Sequence, residues 1–322
     1  MDFVKPKIVV SKCIEFEHCR YNGNIISSDT VDLLKPHVDF ITVCPEVEIG
    51  LGVPREPIRL VGDEESSRLM QPSTGKDVTE DMRDFAEDFL SGLPRVDGFV
   101  LKSSSPSCGP WQVKLYPSTD KVPALSKKGV GHFAAVLHEK FPRTAIEDEG
   151  RLTNFTIREN FLTRIFATAA FHEMTATGEM RDLVDYHSRY KLLLLAHNEQ
   201  NMREMGRIVA NPDKLPTGEV IEKYRDILMT TFSKAPSPGN NVNVLQHSVG
   251  FFKKELTSEE KAYFVQTIDQ YVAGRIPLSV PIGIVRLYIV RFGEDYLSQQ
   301  AYFKPYPTEL VTISDSGKGR KL

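Results

Sequence analysis

Short apolar runs rich in β-branched residues recur through the first 110 residues, and three of them are each followed by a cysteine. The runs span 7–11, 38–43 and 98–101, and the cysteines are Cys13, Cys44 and Cys108. Alternation of such runs with helical stretches predicts parallel βαβ units. Because the carboxyl ends of parallel strands meet at one edge of an open sheet, we expect the three thiols to converge there.

The second half of the chain has a different pattern. The segments with helical periodicity and few strand-like runs are 155–177, 186–210, 219–233 and 258–273. The polar tract 144–151 ends the α/β pattern, so we place a domain boundary near residue 152. The sequence therefore predicts a Rossmann-like α/β domain with a parallel sheet over 1–152 and an all-α domain over 153–322. We expect the polar tail, 314–322, to fray.

The net charge of -3 is unevenly distributed. Residues 1–150 carry 18 Lys and Arg against 24 Asp and Glu, whereas residues 151–322 carry 22 against 19, so charge favours the second half for any contact with nucleic acid. No apolar run approaches the roughly 20 residues that span a bilayer, and the first residues lack the apolar core of a signal peptide. We expect a cytoplasmic chain without membrane attachment or an obligate protein partner.

The surroundings of the cysteines favour ligands over buried, inert thiols. All three lie in polar turns marked by proline or glycine, and cytosolic thiols stay reduced, which favours metal binding or catalysis over disulfides. Widely separated thiolates from different loops are typical of an iron–sulfur cluster. Four thiols could instead close a zinc site, which would make the chain a zinc-stabilised RNA-binding or sensor protein without catalysis. Cys19 is the ambiguous fourth thiol, and its place in the turn 19–23 favours a bystander.

Polar residues next to the cysteines are candidates for the chemistry. Glu46 follows Cys44 by two residues and could transfer protons, or could accept hydrogen bonds within its own turn. Serine hydroxyls, among them Ser104 and Ser105, precede Cys108 and could orient a substrate or only shape the turn. Two cations, Lys102 and Arg20, could hold an anionic or carbonyl-rich ligand, or could be solvated surface charges.

Spaced motifs across nearly the whole chain resemble two known families. In the first half the matching segments are Ser11–Cys13, Cys19–Gly23, Cys44–Glu46, Pro54–Arg55, Leu101–Gly109 and Glu149–Arg151. They resemble the bacterial thiouracil desulfidase domain. In the second half they are Leu194–Asn198, Gly206–Ala210, Gly250–Lys253, Pro277–Pro281 and Pro305–Pro307. They look like the YbgA-type domain, and the fusion of the two is similar to the tRNA 4-thiouridine desulfidases.

The resemblance implies a 4Fe-4S cluster held by Cys13, Cys44 and Cys108, with one iron that the protein does not bind. It also implies catalytic roles for Glu46 and Ser105. We therefore expect a non-redox desulfidase that hydrolyses 4-thiouridine in tRNA, or free thiouracil, to the oxygen analogue and hydrosulfide. Glu46 would act as the base toward water, and the helical domain would position the RNA.

Overall fold

A computed structural model of the chain describes residues 3–312, and the tail expected to fray lies outside them. The chain divides into two compact units. The first contains the residues up to Ala169 together with the segment that begins at Pro307, and the second contains Ala170–Tyr306. The first unit is α/β and the second is helical, which confirms the fold class that the sequence predicts.

The secondary structure of the first unit follows the apolar runs. Within residues 3–312 its strands are β1 (Lys7–Ser11), β2 (Asp39–Val43), β3 (Arg59–Gly62), β4 (Ser67–Gln71), β5 (Lys76–Asp77), β6 (Gly98–Leu101), β7 (Val113–Tyr116), β8 (Ser126–Gly129) and β9 (Ala145–Asp148). Its α-helices are α1 (Asp29–Leu34), α2 (Pro45–Glu48), α3 (Thr79–Ser91) and α4 (His132–Lys140), and α5 (Phe155–Met174) continues into the second unit.

The main sheet is parallel, with strand order β2-β1-β6-β9. Its register pairs Ser11 with Val43, and Leu101 with Asp148. The carboxyl ends of the four strands therefore lie at one edge, and the segments that follow them meet there.

A second sheet, with order β5-β4-β3-β7-β8, was not predicted. The sheet is mixed, because β3 and β7 pair in parallel while the other neighbouring strands of the sheet pair antiparallel. Its strands are short, and β8 reads Ser-Lys-Lys-Gly, which carries no strand-like alternation. Residues 76–77 pair with β4, and helix α3 begins two residues later at Thr79.

The core of the first unit lies between these two sheets and the helices α3 and α4. Its buried members include Val9 and Phe99 of the main sheet and Leu60 of the second, with Met82 of α3 and Phe133 of α4. The opposite face of the main sheet packs against α5. A Cβ atom on Gly98 would lie 2.8 Å from Cγ2 of Ile165, so the absence of a side chain there permits this close approach.

The second unit is built from helices. Within the described residues they are α6 (Met180–His197), α7 (Glu199–Ala210), α8 (Thr217–Phe232), α9 (Pro238–Gly250), α10 (Ser258–Val272), α11 (Ser279–Phe292) and α12 (Asp295–Ser298). The helix expected over 186–210 is divided at Asn198, whose Oδ1 accepts the backbone N–H of Asn201 and caps α7. Thr257 and Glu260 form a capping box at the start of α10. Across residues 3–312 no helix has the length and apolarity to cross a membrane.

Candidate active site

The thiols converge at the carboxyl edge of the main sheet. Cys13 lies two residues after β1, Cys44 directly follows β2 at the start of α2, and Cys108 lies in the loop between β6 and β7. All are buried and none is in a disulfide. The Cys19 thiol interacts with those of Cys13 and Cys44, and Cys44 interacts with Cys108. The site therefore contains four thiols, including the one that sequence reasoning treats as a bystander.

The environment raises the pKa of three of these thiols, those of Cys19, Cys44 and Cys108. Burial raises the pKa of Cys108 to about 12, against the opposing effect of hydroxyls from Ser11 and Ser107. The hydrogen bond with Cys13 is the largest cause that raises the pKa of Cys19 to about 11. The hydrogen bond with Cys19 and burial together raise the pKa of Cys44. Because the thiolate is the metal ligand, binding of a metal or cluster here releases protons.

The donor set fits an iron–sulfur cluster better than a single metal ion. Over residues 3–312, no three His, Cys, Asp or Glu side chains come close enough together to hold one ion. A cluster takes thiolates from separate loops because it is several ångströms across. Four buried thiols on three strand-end segments are the soft donors that such a cluster requires.

Helix α4 fixes the loop that carries Cys108. The backbone N–H groups of His132 and Phe133 donate to the carbonyls of Pro106 (3.2 Å) and Ser107 (3.1 Å), so the loop caps the first turn of the helix. The approach is close, because a Cβ atom on Gly131 would lie 2.3 Å from the Ser107 carbonyl oxygen.

We expect a Gly131→Ala substitution to displace the loop and to lower the iron bound per chain after anaerobic reconstitution at least several-fold. The matched control is Gly92→Ala, since a Cβ at Gly92 would meet its nearest atom at an ordinary 3.4 Å. The control should load iron as the unmodified chain does. Full loading of the Gly131→Ala protein would show that the loop accommodates the methyl group.

Glu46 lies on the first turn of α2 and both of its oxygens are engaged. Oε2 accepts hydrogen bonds from Nη2 of Arg55 at 2.7 Å and from its Nε at 2.8 Å. Oε1 accepts the hydroxyl of Ser107 at 2.7 Å. The carboxylate is therefore held in one orientation. Its partners lie on other segments, so Glu46 does more than accept hydrogen bonds within its own turn.

Arg55 connects three segments of the site, and sequence reasoning assigned it no role. Its side chain is only 4% exposed, and Nη1 donates to the carbonyls of Cys19 and Gly52, both at 2.9 Å. Its backbone N–H donates to the carbonyl of Tyr21 at 2.8 Å. The Pro54–Arg55 motif is a sequence signal, but a single arginine after proline does not reveal which carboxylate it holds.

The serine loop contacts Glu46 through Ser107 rather than through Ser105. The hydroxyls of Ser105 and Ser107 lie 2.9 Å apart, and Ser105 Oγ also accepts the N–H groups of Cys108 (3.1 Å) and Ser107 (3.3 Å). Ser104 is exposed at φ 58°, a left-handed conformation that is uncommon for residues with a side chain and recurs at functional sites.

The two cations expected to bind substrate have different surroundings. The Nζ of Lys102 donates to Oε1 of Glu149 at 2.6 Å, and Ser103 donates its N–H and hydroxyl to the same carboxylate. This pair ties the segments after β6 and β9 together. The guanidinium of Arg20 lies 5.5 Å from the ring centroid of Tyr21, which is 42% exposed. A substrate-binding role for Lys102, Arg20 and Ser104 stays a prediction.

Comparison with known proteins agrees with this two-part organisation. Residues 8–149 match the family model of 2-thiouracil desulfurase, and residues 191–307 match that of DUF1722. The chain belongs to both families, one in each half. It is 32% identical over 161 residues to the uncharacterized protein YbgA of Escherichia coli K12. The aligned region covers 49% of this chain and 95% of YbgA. It is 30% identical over 149 residues to the uncharacterized protein YbbK of Bacillus subtilis 168. That alignment covers 44% of this chain and 96% of YbbK.

A solved structure, described as the [4Fe-4S]-dependent thiouracil desulfidase TudS, matches with a TM-score of 0.36 and 26% sequence identity. The match covers 46% of this chain and 93% of TudS. The family models and the two relatives, and not this structure, place the first half of the chain in the thiouracil desulfurase family and make its second half YbgA-like.

Proposed function

We propose that the chain is a hydrolytic desulfidase that converts 4-thiouridine in tRNA to uridine and releases hydrosulfide. Membership of the desulfurase family supports the reaction class. The observation that carries the proposal is the position of Glu46, whose carboxylate is linked through Ser107 to Ser105 beside the buried thiol of Cys108.

Cys13, Cys44 and Cys108 would hold a 4Fe-4S cluster in this proposal, and Cys19 would lie beside it. The cluster is proposed from the four buried soft donors and their separate loops. When bound, a cluster with one open iron supplies a Lewis acid that draws electron density from a thiocarbonyl.

The residues of the chain then supply the proton transfers. Glu46 accepts a proton from the attacking water, because Arg55 orients its carboxylate. The C4–oxygen bond forms, the C4–sulfur bond breaks, and Glu46 or Ser105 returns a proton as sulfide leaves. The C4 hydroxyl loses its remaining proton to solvent, so the thiocarbonyl and water become a carbonyl, hydrosulfide and a proton, with no change in oxidation state.

Recognition of RNA is proposed for two parts of the chain. The second domain, proposed over 153–322, carries the positive charge balance, which favours phosphate contacts. In the first domain, the exposed ring of Tyr21 beside Arg20 can stack on an unpaired base. Lys102 and Ser104 would complete the substrate-binding side of the site.

Turnover by the anaerobically purified full chain tests the proposal. We expect kcat/KM to be at least tenfold higher on tRNA that contains 4-thiouridine than on the free nucleoside or on thiouracil. Equal values would indicate a desulfidase of free bases. Stoichiometric zinc without iron or acid-labile sulfide would instead favour a structural or sensor protein.

A further inference from the structure

An arginine and the chain's tryptophan form a stacked pair at the carboxyl edge of the main sheet, beside β9. The guanidinium carbon of Arg151 lies 4.9 Å from the ring centroid of Trp111. The indole Nε1 of Trp111 donates to Oδ2 of Asp148 at 3.0 Å, and Oδ1 of the same carboxylate accepts the backbone N–H of Arg151 at 2.8 Å. Asp148 is the last residue of β9 and is 5% exposed. A buried carboxylate therefore fixes both members of the pair.

A second carboxylate fixes the plane of the guanidinium. Oε2 of Glu147 accepts a hydrogen bond from Nε of Arg151 at 2.8 Å, and Oε1 accepts one from Nη2 at 3.4 Å. Because Glu147 offsets the charge of Arg151, the guanidinium attracts a phosphate less strongly than an isolated arginine would. The Arg151 side chain nevertheless stays 43% exposed, and Trp111 is half-buried. The pair thus presents a flat surface, which suits a nucleobase better than a phosphate.

This pair and that of Arg20 and Tyr21 lie towards opposite ends of the carboxyl edge. Tyr21 follows β1, and its carbonyl accepts the N–H of Arg55 from the segment after β2. Trp111 lies three residues after Cys108 and is bonded to β9. The strand order β2-β1-β6-β9 makes the edge roughly 14 Å wide, at about 4.8 Å between strands. That width matches about four stacked nucleotides of one strand.

We propose that Trp111 and Arg151 form a stacking platform for an unpaired nucleotide next to the reacting base of an RNA, and this rests on the proposed function. An enzyme that acts on a base takes it out of the stack, which deprives the neighbouring bases of a stacking partner. An aromatic ring or a guanidinium plane replaces that partner. With Tyr21 on the other side, both flanking nucleotides are held. A free thiolated base has no flanking nucleotide, so the platform favours RNA over the free base.

Binding of a labelled single-stranded RNA to the anaerobically purified full chain tests the platform. The RNA carries uridine at the reacting position, so it is bound without being desulfurated, and fluorescence anisotropy gives its Kd. We expect Arg151→Ala and Arg151→Lys each to raise Kd about tenfold, within the range for loss of one stacked base. Lysine keeps the charge of arginine but lacks its plane. An Arg151→Lys protein with the parent's Kd would overturn the proposal, because charge alone would then suffice.

The matched control is Arg59→Lys, which changes the same kind of pair on the second sheet. The guanidinium carbon of Arg59, on β3, lies 4.5 Å from the ring centroid of Tyr116, on β7. Nη1 of Arg59 also donates to the carbonyl of Asp120 at 3.2 Å. The Kd of this variant should equal that of the parent. An equal rise in Kd for Arg59→Lys and Arg151→Lys would contradict a platform located at the carboxyl edge.

Photocrosslinking supplies a readout that depends neither on turnover nor on a variant that must fold. 5-Iodouridine is placed on one side or the other of the reacting position, and irradiation crosslinks it to an aromatic ring packed beside it. We expect Trp111 to be modified from one position and Tyr21 from the other, identified as RNA-bearing peptides by mass spectrometry. A Trp111 that stays unmodified from both positions would overturn the platform.

The same experiments separate this inference from the proposed function. A parent chain whose Trp111 is crosslinked, but which removes sulfur from no thiolated RNA, would overturn the proposed function and keep the platform. A parent that desulfurates thiolated tRNA, with Kd unaffected in Arg151→Lys, would overturn only the platform.

Discussion

Replacement of Cys108 by alanine is expected to abolish both the iron–sulfur absorbance and desulfuration. Cys108 is the one thiol on the loop after β6, and Ser107, beside it, donates to Glu46. Two thiols from β1 and β2 do not suffice to hold a cluster that the resemblance implies is held by three. The measurement is iron and acid-labile sulfide per chain after anaerobic purification, together with the product formed from thiolated tRNA. A colourless Cys108→Ala protein that remains active would refute the cluster proposal.

The matched control is Cys19→Ser, which removes the other candidate thiol. In the proposed arrangement Cys19 interacts with Cys13 and Cys44 without being a ligand. The variant should therefore keep the absorbance and at least a tenth of the activity. Loss of the cluster in both variants would mean that four thiolates hold it, which would leave no open iron and would favour a structural or sensor protein.

Replacement of Arg55 by alanine is expected to produce the largest loss of stability in the first unit, about 3 to 5 kcal/mol in the free energy of unfolding. The substitution leaves the carboxylate of Glu46, which is 13% exposed, without its ionic partner. It also removes the donor to the carbonyls of Cys19 and Gly52. Because the chain has one tryptophan, Trp111, urea unfolding followed by its fluorescence reports on this unit.

Arg68→Ala is the matched control for Arg55→Ala. Arg68 pairs with Asp77 on the second sheet, but its side chain is 68% exposed. An exposed ion pair contributes no more than about 1 kcal/mol, because solvent screens it. Equal losses in the two variants would contradict the assignment of Arg55 as the residue that holds the site together.

The main sheet and its edge were predictable because the signal is local. Each strand that matters for the site is a short apolar run, and parallel pairing brings the residues after these strands to one edge. Asn198 shows the limit of this signal, since it interrupts a continuous helical period by capping the next helix. The two edge strands of the second sheet lacked the signal, because β5 and β8 form through pairing rather than through their own apolar pattern.

The sequence by itself determined the chemical identity of the site: thiols after β1, β2 and β6, with Glu46 and a run of serines beside them. Only the tertiary structure decided which of these groups touch. It placed Cys19 among the thiols and paired Lys102 with Glu149. It also showed that Glu46 forms an ion pair with Arg55 and accepts a hydrogen bond from Ser107. Such contacts join residues that are far apart in the sequence, and Ser107 and Glu46 are separated by 61 positions. The physical reason is that a hydrogen bond depends on distances of about 3 Å, which packing sets and local sequence does not encode.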